Sequence, residues 1–394
     1  MEYRPFHLGK EWLKCGCKVL IIASNYAHIR KGQFQLPWYK IYSKTNVSGV
    51  DFLILRAIPY NGNGILRALG IILFSIQAAL AVAFVRRFDA YIASSTHTLD
   101  FLPIAVAKYF KKPLKLIFEP HDLWPLTLTA GGHMSKGHPF VRLLQLGEDL
   151  LLKLSDLVVS MHPYNYLHLR KRGLDNKPFH HIPNGIALSE YELYETEYLA
   201  KCEVNSFVGD KDLTIIYAGA ISAANGLDQI IKAMNLCAQD NLNVGLLVFG
   251  GGNAVGNYKN KLTTSKNIYF GGRVDRQELS SIYQLVDVGY CGFNASALYK
   301  YGISPNKLWE YMYYSLPILL MVDSPNDPVA DANAGITVTS YNSEDLFYAI
   351  KQFLALKRNN ELVKIGQNGK KYVLKNNTYE VLAQKFLEIL ELDK

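Results

Sequence analysis

Glu119, His121 and Asp122 crowd one short stretch, FEPHDLWPLTL (118–128), that follows an apolar run and leads into Trp124 and Pro125. A histidine beside a carboxylate can orient or deprotonate a hydroxyl, and a Trp-Pro pair stiffens the turn that would carry it. The same residues have a plainer use, with Asp122 capping the next segment and His121 merely structural. His97 stands at the end of another apolar run, YIASST, and can face the same space.

A second group is cationic. YGISPNKLWEYM (301–312) reads as a helix start, with Ser304 as N-cap, Pro305 at the first helical position, and Leu308, Trp309 and Met312 as the apolar face. Lys307 then falls at N3, facing the positive end of the helix dipole, at a cost of roughly 0.3–1 kcal/mol. A bound diphosphate would resolve that conflict, because the helix amides and the lysine would act on one anion. A solvated lysine, or a weak pairing with Glu310 one turn on, is the simpler alternative.

Glycines follow three apolar runs: Gly219 after TIIYA, Gly250, Gly251 and Gly252 after LLVF, and Gly271 and Gly272 after NIYF, with Arg273 directly behind. Glycine there lets backbone N–H groups approach a phosphate, or simply makes a tight turn. None completes a GxGxxG fingerprint, and P-loop, HExxH and GxSxG patterns are missing, which argues against dehydrogenase, P-loop kinase, zinc-protease and serine-hydrolase chemistry. His162, His168, His180 and His181 lack metal-ligand spacing, so no protein-held metal or other cofactor is expected.

The elements that must position these residues alternate almost throughout. Apolar runs at 18–24, 89–95, 114–120 and 156–162, then at 213–219, 245–251, 267–272, 287–292 and 317–322, are separated by helical stretches. That rhythm predicts parallel sheets covered by helices on both faces, in two series. A polar, irregular stretch over 186–211 reads as the junction. The expected division is therefore 1–185, 186–370 and a closing helix at 371–394, with ligand at the carboxyl ends of the strands in a cleft between two domains.

Length agrees, since 394 residues exceed what one core usually organises. The net charge of +8 comes from scattered lysines and arginines, which points to an anionic ligand or acidic surface and away from nucleic acid. Five cysteines without a CxxC pair read as reduced core thiols, and the N-terminus has no secretory h-region, so a cytoplasmic location is expected. ILRALGIILFSIQAALAVAFV (65–85) has the length of a bilayer span, but Arg67, Ser75, Gln77 and its alanines favour a buried or surface-lying helix, the membrane being one candidate for its free side.

Three stretches together resemble the family four retaining nucleotide-sugar glycosyltransferases: FEPHDLWPLTL with GGHMSKGHPF, SDLVVSMHPYNYLHLRKRGL with HHIPNGI, and ALYKYGISPNKLWEYMYYSLPIL. The closest likeness is to the subgroup with an (R/H)DLWP turn and an SPNK helix start. The resemblance implies a GT-B fold, two doubly wound Rossmann-like domains facing a central cleft. It implies donor contacts from Gly219, Gly251, Arg273, Val274, Ser304, Asn306, Lys307 and Glu310, the last holding the ribose. His121 and Asp122 would stand near the reacting sugar, with Lys307 neutralising the leaving diphosphate and His97 and Asn184 on the acceptor side.

Three departures from the pattern accompany it. Gly302 stands where the family's first motif glutamate would be, GAISAANGLDQ lacks the usual arginine and lysine, and MEYRPFHLGKEWL reads as the fold's first helix without the strand that normally precedes it. The implied partners are a nucleotide-sugar donor, UDP-linked, and a lipid-linked saccharide acceptor in O-antigen, capsule or exopolysaccharide synthesis. The implied place is the inner face of the cytoplasmic membrane. A same-fold nucleotide-sugar epimerase and an inactive scaffold of a polysaccharide assembly complex are the alternatives.

Overall fold

A computed structural model describes residues 3–26, 36–60, 62, 64–130, 134–173, 177–191, 202–258 and 265–391. It divides the chain into two compact units, Met1–Pro183 with Tyr379–Lys394, and Asn184–Thr378.

The first unit contains β1 (Leu20–Ser24), β2 (Tyr42–Val47), β3 (Val50–Leu55), β4 (Ala90–Ser95), β5 (Lys115–Pro120), β6 (Leu157–Ser160) and β7 (Phe179–His181). They form two sheets, ordered β1-β3-β2 and β4-β5-β6-β7. The second is parallel throughout, and β5 is buried along nearly its whole length, which is why LKLIFEP reads as a continuous apolar run. The β2–β3 hairpin escapes such a reading. Its strand YSKTNV alternates exposed and half-buried residues, and its tight turn is made by Ser48 and Gly49 at φ 49° and 88° rather than by Asn-Gly.

The Tyr3–Lys14 helix pairs with the closing helix Tyr379–Glu391 through Trp12 on Phe386, with ring centroids 5.1 Å apart, and His7 on Tyr379 at 4.9 Å. The closing helix thus begins at 379, while Leu362–Asn376 runs across the expected break at 370 as a helix of the second unit. The boundary between the units falls before Asn184, whose N–H donates to Ser304 Oγ (2.8 Å) and whose side-chain amide donates to the Ser304 carbonyl (3.0 Å). Part of the polar junction expected over 186–211, residues 192–201, lies outside the described residues.

The second unit holds β8 (Leu213–Ala218), β9 (Val244–Phe249), β10 (Ile268–Gly272), β11 (Val288–Gly292), β12 (Ile318–Met321) and β13 (Gly335–Val338), all parallel, in the order β10-β9-β8-β11-β12-β13. Alternation along β8 splits the core in two. Ile215 and Tyr217 join Ile230 and Met234 of the Leu227–Gln239 helix, whereas Ile216 and Ala218 join Leu308 and Met312 of the Asn306–Tyr313 helix. Helices therefore cover both faces, as in a doubly wound domain. The strand order reverses between β8 and β11, where only two residue pairs are in register. Tyr311 bridges the splayed ends, its hydroxyl accepting from Ala218 N–H (2.9 Å), and Gly289 leaves room for its ring. A reversal of this kind opens a crevice at the carboxyl ends of the strands.

Candidate active site

In the second unit the crevice is lined from below by glycines. Gly219 at φ 150° and Gly250 at φ 137° adopt backbone that other residues rarely take, and a Cβ on Gly250 would lie 1.8 Å from the Gly219 carbonyl oxygen. Glycine is required for β8 and β9 to end side by side, where Gly219 N–H donates to the Phe249 carbonyl (3.0 Å) and Gly250 N–H to the Gly272 carbonyl (2.6 Å).

From the other side comes the Asn306–Tyr313 helix, and here the structure corrects the sequence reading. Ser304 does not cap it. Pro305 is the N-cap residue, in extended backbone with ψ 132° and without a side-chain cap, while Ser304 Oγ accepts from Asn184 instead. Lys307 therefore stands at N2. Its ammonium folds over Tyr217, 4.4 Å from the ring centroid and 3.3 Å from the hydroxyl oxygen, and a Cβ on Gly219 would lie 3.5 Å from Nζ. Burial lowers its pKa below the usual lysine value, with Cys291 and Glu310 opposing the shift. Among the described residues no carboxylate comes within ion-pair reach of this ammonium, so the expected alternative of a Lys307–Glu310 pair is not what forms.

Glu310 turns to other partners. Its Oε1 accepts from Tyr191 Oη (2.9 Å) and lies 4.0 Å from Arg276. Burial raises its pKa, against the pull of Arg276 and the Tyr191 hydrogen bond. Neither Arg276 nor Tyr191 was singled out from the sequence, although an arginine opening the RQELSSIY helix right behind the Arg273 turn was a usable signal. Arg273 is exposed and lies over Gly251, where a Cβ would come within 2.2 Å of its Nε. Val274 packs against the core instead of facing outward, and Asn306 is exposed on the first turn of its helix. Asn184, expected on the acceptor side, belongs to the second unit and braces Ser304.

The first unit gathers its own polar cluster where β4, β5 and β6 end. Glu119 is fully enclosed and bonded to Arg4, Nε to Oε1 at 3.0 Å, while Arg4 also donates to the carbonyls of Ile182 and Pro183. Burial alone would raise the Glu119 pKa, but Arg4, His121 and Ser94 carry it down to about 2. Ser94 Oγ donates to Glu119 Oε2 (2.5 Å) and lies 2.8 Å from His121 Nε2. With its one proton committed to the carboxylate, Ser94 accepts from His121 Nε2–H, which fixes the orientation of the ring.

Asp122 bonds within its own turn, its Oδ1 accepting from Leu123 N–H and Thr127 Oγ1, both at 2.8 Å, and so ties the turn to the Leu126–Ala130 helix through a side chain rather than as its N-cap. His97 Nδ1 lies 3.6 Å from Asp100 Oδ1, after the end of β4. Trp124 closes the turn by packing with Leu99 and Leu144, as the Trp-Pro pair implied. Of the cysteines, Cys237 and Cys291 are buried, but Cys15 is exposed, contrary to the core-thiol expectation. The glycines of GGHMSK lie outside the described residues.

Known proteins agree with this architecture unit by unit. The family described as Glycosyltransferase Family 4 matches residues 1–190, and that described as Glycosyl transferases group 1 matches residues 203–372. No curated protein matches the sequence. Solved structures that the chain is similar to include sucrose-phosphate synthase from Thermosynechococcus elongatus, at 14% identity over 98% of this chain and 91% of that one, with a TM-score of 0.69. The catalytic domain of starch synthase IV from Arabidopsis thaliana, bound to ADP and acarbose, gives 13%, 98%, 94% and 0.68 in the same order. HepE from Anabaena in complex with UDP and glucose gives 15%, 87%, 86% and 0.61. With a glycosyltransferase match over each of two Rossmann-like units, the chain is a glycosyltransferase of the GT-B type, related to family four.

Proposed function

We propose that the protein moves a sugar from a nucleotide diphosphate sugar, UDP-linked, to a hydroxyl of a lipid-linked saccharide, with retention at the anomeric carbon, in O-antigen, capsule or exopolysaccharide synthesis. The observation that carries the donor half is the ammonium of Lys307 beside the Gly219 turn, a cation with no ion-pair partner among the described residues. A partly buried cation without a counter-charge is costly unless an anion completes it. The helix N-terminus next to it favours the same occupant. HepE, solved with UDP and glucose, supports a uridine donor.

In this reading the ribose hydroxyls donate to Glu310, and Arg273 and the amides after Gly219 and Gly250 add to the diphosphate cradle. The bond between the anomeric carbon and the β-phosphate oxygen breaks as the acceptor oxygen bonds to the same face of that carbon. The acceptor proton passes to the departing phosphate, so charge develops where Lys307 already points. His121 and Asp122 orient the acceptor, the imidazole ring held in place by Ser94 and Glu119. The scheme draws on no protein-held metal.

The test is incubation with UDP-hexoses or UDP-N-acetylhexosamines and a polyprenyl-linked saccharide, read by mass and by anomeric NMR. The proposal expects an acceptor heavier by one sugar, linked with the donor's anomeric configuration. An isomerised donor formed without acceptor would replace it with an epimerase, and inertness toward both would leave a scaffold.

A further inference from the structure

The Ile65–Phe84 helix uses only one side for the protein. Gly70, Ser75, Ala78 and Val82 are buried against the first unit. Ile65, Leu69, Ile76, Leu80 and Phe84 are exposed, Phe84 by 89%. At about 100° per residue these five fall within an arc of about 100° on one face. An amphipathic helix usually turns such a stripe inward, and here it is turned out along about 30 Å.

A second segment extends the stripe at its C-terminal end. Lys111 Nζ donates to the carbonyls of Ala83 (2.8 Å) and Val85 (2.7 Å), and Arg87 donates to the Lys112 carbonyl (2.7 Å). These bonds staple the helix end to the turn Ala107–Lys111, on which Tyr109 and Phe110 are exposed, Phe110 by 77%. Arg86, Arg87 and Lys112 are exposed at the same corner. No aspartate or glutamate occurs from Ile65 to Phe88, and Asp89 is the first acid after the helix.

We propose that this helix and the Tyr109–Lys112 turn form a docking surface for an anionic lipid bilayer, with the helix lying in the plane of the interface. An apolar stripe ending in exposed aromatic rings and arginines matches the layering of a membrane surface, where side chains enter the acyl boundary and cations meet headgroup phosphates. Charge complementarity selects this occupant, since Arg86, Arg87 and Lys112 outnumber the one exposed acid at this corner, Asp89, a net positive charge that two copies would repel and headgroup phosphates would neutralise. The helix does not cross the bilayer, because its small residues seat it on the first unit and Arg67 stacks 5.5 Å from the Trp124 ring. The proposal stands apart from the sugar-transfer reading, because the surface requires neither donor nor acceptor.

The test is flotation of the full chain with vesicles of phosphatidylcholine alone or with phosphatidylglycerol, without nucleotide. The expected result is binding to the anionic vesicles that weakens with salt. Leu80→Ser with Phe84→Ser should abolish it, and Arg86→Gln with Arg87→Gln should lower it by about fivefold per arginine. All four side chains are exposed, so circular dichroism should stay that of the wild type; because Arg87 also bonds the Lys112 carbonyl, Arg86→Gln alone, with wild-type melting and about a fivefold loss of binding, is the control for the arginine pair. Equal binding to neutral vesicles, or unchanged binding by the variants, overturns the proposal. So does a dimer in light scattering that Phe84→Ser dissociates, which would make the stripe an interface between copies.

Discussion

Replacing Lys307 with methionine keeps the length of the side chain and removes its charge. A unit charge about 4 Å from a phosphate oxygen, at an effective dielectric near 20, contributes about 4 kcal/mol. The helix dipole that remains supplies only about 0.3–1 kcal/mol. Lys307→Met should therefore lower turnover by about two to three decades and weaken UDP binding while leaving uridine binding nearly as it was. Folding should respond far less. The variant loses a cation–π contact worth about 0.5–2 kcal/mol, but it also relieves a desolvated cation, so the melting temperature should shift by a few degrees at most.

The pH dependence of the wild type carries the same signature. Because burial lowers the Lys307 pKa, the charged lysine burdens the fold, and that burden lifts as pH rises through the lowered value toward 10.5. UDP binding should weaken over the same window, and Lys307→Met should show neither change. Transfer kinetics, calorimetry and thermal melts across pH measure all three quantities. Near-normal turnover and UDP affinity in a folded Lys307→Met protein would refute the reasoning.

Two further outcomes follow from the ends of the strands. Arg4→Met leaves the Glu119 carboxylate enclosed without its main partner, which should cost about 3–5 kcal/mol in chemical denaturation. In the wild type the Glu119 contribution is complete above the ordinary carboxylate pKa and disappears as pH falls through about 2. Without Arg4, burial dominates and raises that pKa, so acidification should narrow the gap between variant and wild type. Gly250→Ala places a methyl against the Gly219 carbonyl and should abolish UDP binding in calorimetry with larger losses than an alanine at the exposed Gly256.

The parallel strands were legible because strands enclosed on both faces must be continuous apolar runs, as VGLLVF of β9 is at every position. The β2–β3 hairpin was not, since a half-exposed polar strand looks like a loop until its partner is known. The site divides the same way. Lys307 and Gly219 could be picked out because local backbone rules made each conspicuous, and Glu310 by its place one turn on and by the family resemblance. What they touch could not be, because Tyr217 is 90 residues from Lys307 and Tyr191 is 119 from Glu310. Ser304 misled for the same reason: a serine before Pro-Asn looks like a cap until Asn184, 120 residues away, takes its hydroxyl. Arg4 had a fainter signal, a charged residue one turn before the fully buried Leu8 on the same helix face.

The most direct test of a diphosphate seat at Lys307 is calorimetric titration of the wild-type protein with UDP and with uridine under one buffer. The seat predicts that UDP binds at least a hundredfold more tightly and that Lys307→Met collapses most of this difference. Equal affinities for UDP and uridine, or a preference for UDP that survives Lys307→Met, would contradict it.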